Sequence, residues 1–191
     1  MANVAEFTAT LLHEHHEIEK VVAVMSTIAD DLEHWRLIEA PLFHDMTAFL
    51  QLFASECQRG LEENKLFTAL ASKCSPASGF LLPQLSYEHN RAEFLTRDLV
   101  ESAEAYVSSG GARKGSVIED LRRLASLYQR HLWKEDHILL PMAEEVLTKE
   151  QQTMLFQAFN DAKPNVWLDE LAAKIAEESS RRVSHLGQIL T

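Results

Sequence analysis

The sequence predicts an all-α protein, an up-down-up-down four-helix bundle followed by additional C-terminal helices. Three observations carry this. Glycine (6) and proline (5) are scarce among 191 residues. Apolar residues recur at steps of three, four and seven almost throughout, the spacing of one helix face. The breaks between these stretches are short, which makes successive helices antiparallel neighbours. At 46% hydrophobic and 25% charged residues, the composition is that of an ordinary globular chain, long enough to bury a sizeable core.

The first helix is expected over about Asn3 to Glu33, with Phe7, Leu11, Ile18, Val22, Met25 and Leu32 as its buried stripe. His15 falls in that stripe; His13 and His16 lie off it. After a short link, Pro41 suits the first turn of a second helix reaching Ala71, with Met46, Phe49, Phe53, Leu66 and Leu70 inward. Lys73 to Gly79 reads as a loop by composition. A third helix is expected from near Pro83 to Ser108, with Leu85, His89, Ala92, Leu99 and Ala103 on one face. Ser108 to Gly115 is the clearest break in the chain, and a fourth helix follows from about Ser116 to Leu147. These helices make a domain over 1–147. Residues 148–191 form a helical extension packed on it: Thr148 and Gln151 read as a capping box opening a short helix, and a last amphipathic segment runs from Val166 to Leu190, carrying Trp167, Leu168, Leu171, Ile175 and Ile189. That segment either packs on the outside of the bundle or supplies a homodimer contact.

The formal net charge of -11 argues against nucleic acid or an anionic membrane as a partner, because both need a basic face. The two cysteines, Cys57 and Cys74, do not form a disulfide framework. With no secretory signal pattern and no membrane-spanning apolar run, the expected location is cytoplasmic.

The stretch that carries chemistry is Tyr128 to Pro141. It sets His131 and Glu135 four residues apart on a face continuing through Leu124, Leu127, Ile138 and Met142. A carboxylate in such a row needs compensation, because desolvating its charge is costly. A bound cation is one compensation that also uses the histidine. The alternative, an exposed i, i+4 pair, fits poorly with the apolar neighbours. Leu61-Glu62-Glu63-Asn64-Lys65-Leu66-Phe67 echoes Lys134 to Leu140, although Glu62, Glu63 and Lys65 also suit a solvated face. Each echo follows a helix with a histidine in its stripe, His15 and His89. A bundle pointing His and Glu inward from four helices has the character of a di-metal carboxylate protein, and this donor set suits iron, manganese or zinc.

Glu14-His15-His16-Glu17-Ile18, Leu61 to Phe67, Tyr87-Glu88-His89 and His131 to Pro141 together resemble the hemerythrin-like family of HHE cation-binding domains, over about residues 8 to 146. The resemblance implies a non-haem di-iron centre, with His15, His89 and His131 as terminal ligands and Glu62 and Glu135 as bridges. It also implies a histidine four residues before Glu62, where this chain has Gln58. Gln58 and Glu63 are therefore additional candidate ligands. Three outcomes stay open: a more open ion on the His15 side, a single ion held by His89, His131 and Glu135, or a degenerate site.

The function implied is a di-iron protein reacting with O2, peroxide or NO, with an oxidase- or oxygenase-type activity at a histidine-poor site. The competing readings are a sensor or iron-handling protein without turnover, and a helical scaffold that has lost its metal.

Overall fold

The structure, a computed structural model, describes residues 6–34, 36–71, 73, 76–161 and 166–189. Six helices and no strand are present among the described residues. Helix α1 is Glu6–Glu33. Helix α2 spans 40–71; it is α-helical over Ala40–Phe53, π-helical over Ala54–Phe67 and α-helical again over Thr68–Ala71. Helix α3 is Pro76–Ser108. Helix α4 spans 114–146, with a π-helical turn at Glu135–Leu139 between Lys114–Lys134 and Leu140–Val146. Helices α5 and α6 are Lys149–Asp161 and Val166–Ile189.

The buried apolar residues form two clusters, and their order along the chain gives the topology. In α1, Leu11 belongs to one cluster and Ile18 to the other, with His15 between them. In α2 the order reverses: Phe53 and Cys57, then Glu62, then Leu66. It reverses again in α3, with Leu85, His89 and Ala92, and once more in α4, with Tyr128, Glu135 and Leu139. The four helices therefore run up, down, up and down, and a polar layer separates two apolar cores. Burying each large apolar side chain contributes about 1.5–3 kcal/mol, and this supports a layer that would be unfavourable by itself.

The C-terminal helices serve one cluster each. Leu155 and Phe159 of α5 join Phe7 and Leu11. Leu168, Ala172 and Ile175 of α6 join the larger core, with α6 lying against both α1 and α2. Trp167 is exposed, and the face that turns to the core begins one residue later at Leu168. Ile189 lies in α6, while Leu190 and Cys74 lie outside the described residues.

Local signals account for most boundaries. Pro41 stands in the first turn of α2. The Thr148 amide donates to Gln151 Oε1 at 3.1 Å and the Gln151 amide to Thr148 Oγ1 at 3.3 Å, a complete capping box. Gly110 and Gly111 carry φ of 61° and 94° where α3 ends, values that favour glycine. The start of α3 differs from expectation. The helix opens at Pro76 rather than near Pro83, so 76–79 is helical and Pro83 lies inside the helix. Pro76 can open a helix because its missing N–H would be unbonded there anyway.

The π-helical segments were not anticipated by an even helical period. Across the first, buried pairs fall at Phe53–Ala54, Cys57–Gln58, Leu61–Glu62 and Leu66–Phe67. Their steps of four, four and five exceed the 3.6 residues of an α-turn. The second has a direct consequence: Ile138, expected inward, is exposed, and Leu139 is buried in its place. Pro141, just beyond that turn, lacks the N–H that an uninterrupted α-helix would use. Single π-turns inside α-helices are frequent at functional sites.

Candidate metal centre

His15, Glu62, His89, His131 and Glu135 meet in the polar layer, and all five are at most 2% exposed. Each of the four bundle helices supplies at least one of them. His15 and His89 sit one helical step from Leu11 and Ile18, and from Leu85 and Ala92. The same apolar stripe that drives packing therefore carries them inward. The two π-helical segments present Glu62 and Glu135.

The two carboxylates each face two ways. Glu62 sets Oε2 3.0 Å from His89 Nε2 and Oε1 3.8 Å from His15 Nε2. Glu135 sets Oε1 3.2 Å from His131 Nε2 and 3.7 Å from His89 Nε2, and Oε2 3.4 Å from His15 Nε2. Two corners result, one with His89 and His131, the other with His15, and both acids are shared between them. His89 and His131 bring their Nε2 atoms to 3.0 Å. Donors about 2.1 Å from one ion stand about 3.0 Å apart at right angles and about 3.4 Å apart in a tetrahedron. The observed separations thus suit atoms gathered around a cation. One atom each of Glu62, His89, His131 and Glu135 lies within 4.8 Å of the others.

The carboxylate contacts here are not hydrogen bonds. His15 Nε2 and all four oxygens of Glu62 and Glu135 have no hydrogen-bond partner despite their burial. The 3.0 Å approach of Glu62 to His89 is ionic proximity without hydrogen-bond alignment. Buried, unpartnered acceptors are uncommon in native proteins, and a set of them pointing at one another calls for positive charge.

The outer nitrogens are all engaged. His15 Nδ1 is 2.6 Å from Asp136, His89 Nδ1 is 2.6 Å from Glu63, and His131 Nδ1 is 3.0 Å from Glu88. Lys134 in turn pairs with Glu88. A carboxylate accepting from Nδ1–H leaves the Nε2 lone pair facing the centre, the arrangement that orients metal-bound histidines.

Without a cation, protons balance the acids. Burial lowers the His15 pKa, but the hydrogen bond to Asp136 and the nearby Glu62 and Glu135 carboxylates outweigh it and push it up to about 10. Burial likewise opposes the shift of His89, which Glu135 and Glu62 push up to about 11. His131 is raised to about 8, again against burial, chiefly by the charge of Glu135. Burial raises Glu62, and the two histidines more than reverse it, holding it well below the usual carboxylate range.

All five residues expected at the centre are brought together. Of the two further candidates, Gln58 is 1% exposed with neither amide atom partnered. Glu63 is turned away from the centre and faces the outer nitrogen of His89, because it follows Glu62 on the flank toward α3. His16 and His44 are exposed and replace nothing at position 58. Glu88 was not singled out by sequence reasoning. The usable signal was an acid beside each inward residue: Glu62–Glu63, Glu88–His89 and Glu135–Asp136. Tyr128 is fully buried, and its hydroxyl has no partner. Burial, with the charge of Glu62, pushes its pKa well above the ordinary tyrosine value.

Fold and site together define a helical-bundle protein with a buried histidine–carboxylate cation site. The family model for the hemerythrin HHE cation binding domain matches residues 6–143, and the chain belongs to that family. Neither a search of curated proteins nor a search of solved structures gives a match. No helix among the described residues is long and apolar enough to cross a membrane.

Proposed function

We propose that this chain is a non-haem di-iron protein that reacts with O2, peroxide or NO at an asymmetric centre. The observation that carries the reading is the two-way presentation of Glu62 and Glu135, each with one oxygen toward His15 and one toward His89 or His131. Shared carboxylates of this kind suit two cations side by side, and the mixed nitrogen and oxygen donors suit iron, with manganese and zinc as competitors. His89 and His131 would hold one ion and His15 the other, with both acids bridging.

Bound iron supplies electrons and a Lewis-acidic centre for a small oxidant. The chain supplies the rest. Asp136, Glu63 and Glu88 fix the imidazoles. The apolar clusters on either side keep water out. The Tyr128 hydroxyl is a buried donor, one turn before His131, available to a small acceptor molecule. The corner with fewer histidines favours chemistry over reversible carriage. The test is the visible and near-ultraviolet spectrum of untagged protein in air and after reduction. Oxygen-dependent absorption bleached by reductant supports the reading; a spectrum unchanged by iron and by oxygen counts against it.

A second reading, a sensor without turnover, draws on one contact. His13, two residues before His15, pairs with Asp169 of α6 at 3.0 Å, a link from the centre to the C-terminal helices. Sustained turnover of O2 or NO with a reductant separates enzyme from sensor.

A further inference from the structure

The acids around the centre follow a rule that leaves one of them unused. Glu63 of α2 holds His89 of α3, Glu88 of α3 holds His131 of α4, and Asp136 of α4 holds His15 of α1. Each acid adjoins an inward residue on its own helix and reaches the histidine of the next helix around the bundle. Glu14 adjoins His15 on α1. The next helix is α2, and its inward residue one turn before Glu62 is Gln58. Glu14 is 3% exposed and accepts a hydrogen bond from the Cys57 thiol, the immediate neighbour of Gln58, at 3.3 Å. Gln58 itself is 1% exposed, and both its amide atoms lack partners.

A primary amide can serve in the same way as the imidazoles. Its N–H donates on one side while its carbonyl oxygen offers lone pairs on the other. We propose that Gln58 is a carbonyl-oxygen ligand completing a second, harder cation subsite with His15, Glu62 and Glu135, and that Glu14 positions it by accepting its N–H. This rests on the metal-binding reading above and adds a ligand, a positioning residue and a metal preference. The His89–His131 corner offers two imidazoles. With Gln58 as a ligand, the His15 corner would offer one imidazole and an amide oxygen together with the shared carboxylates. Imidazole suits zinc and iron, whereas carbonyl and carboxylate oxygens suit harder ions such as Mn(II). The two corners therefore differ in affinity and in preferred metal.

The test is stepwise loading of the full chain with Mn(II), and with Zn(II) in competition, followed by metal analysis and by anomalous diffraction from the loaded crystals. The wild type should bind two ions in separate steps. Gln58→Ala should keep the first and lose the second. Glu14→Gln should weaken only the second, by about tenfold to a hundredfold. Gln58→His should tighten the second step and shift it toward Zn(II). In the loaded wild type the Gln58 oxygen should lie at bonding distance from the ion beside His15; an ion there with the amide turned away overturns the inference whether or not any variant folds. Second-ion affinity unchanged in Gln58→Ala overturns it as well and leaves the metal-binding reading standing. No ion bound by the wild type overturns both.

Discussion

His89 is held through Nδ1 by Glu63 of the preceding helix at 2.6 Å, and this contact turns its Nε2 toward Glu62, 3.0 Å away. Glu63 thus acts on the centre without belonging to it. Glu63→Gln should reduce metal affinity by about tenfold to a hundredfold while leaving the helical circular dichroism signal intact. Metal titration of both proteins under one buffer checks this, and equal affinities would remove Glu63 from the account.

The metal-free protein should lose stability as pH rises. Folded-state pKa values of His15 and His89 lie at about 10 and 11, above the ordinary value of 6.5. The folded state therefore holds more protons than the unfolded state between these limits, and its stability falls across that window. The contribution is complete below about pH 6.5 and gone above the folded-state values. Urea denaturation of the metal-free protein from pH 6 to 10 should show a falling midpoint. Metal affinity should rise over the same range, because binding releases those protons.

Tyr128→Phe removes a buried hydroxyl that has no partner. An unsatisfied buried donor costs about 1–3 kcal/mol, so the metal-free variant should be at least as stable as the parent. Its reaction with O2 or NO should nevertheless slow, since the donor available to a small acceptor is gone. Thermal denaturation and stopped-flow absorbance read the two effects separately. Clear destabilisation would show that the hydroxyl already has a structural partner.

Ile175 of α6 is fully buried in the larger core. Ile175→Ala should cost about 2–5 kcal/mol, as for a residue of the bundle itself. A loss below about 1 kcal/mol by urea denaturation would show that α6 only rests on the surface.

Much of this was legible in the sequence because burial follows period. The stripe through Phe7, Leu11, His15 and Ile18 required only a count of residues, and it placed His15 correctly. Glu135 was readable as an inward carboxylate because its helix face is otherwise apolar, whereas Glu62 was readable only through its echo of that stretch, since Glu63 and Lys65 beside it also suit a solvated face. The exchange of Ile138 for Leu139 was not readable, since it depends on a change of backbone hydrogen-bond register that leaves composition untouched. The roles of Glu63 and Glu88 were hidden for another reason. An acid one residue off a stripe looks solvated until the neighbouring helix brings a histidine to it. The position of α6 between α1 and α2 follows from three-dimensional packing and has no local sequence signal.

The buried layer of His15, Glu62, His89, His131 and Glu135 is where metal is expected to be held. Metal content per chain, measured on untagged protein expressed with ample iron, tests it most directly, with His131→Ala as the comparison. Two irons per wild-type chain and a marked loss in the variant are expected. Wild-type protein purified with no transition metal, or with the same metal content as His131→Ala, would contradict it.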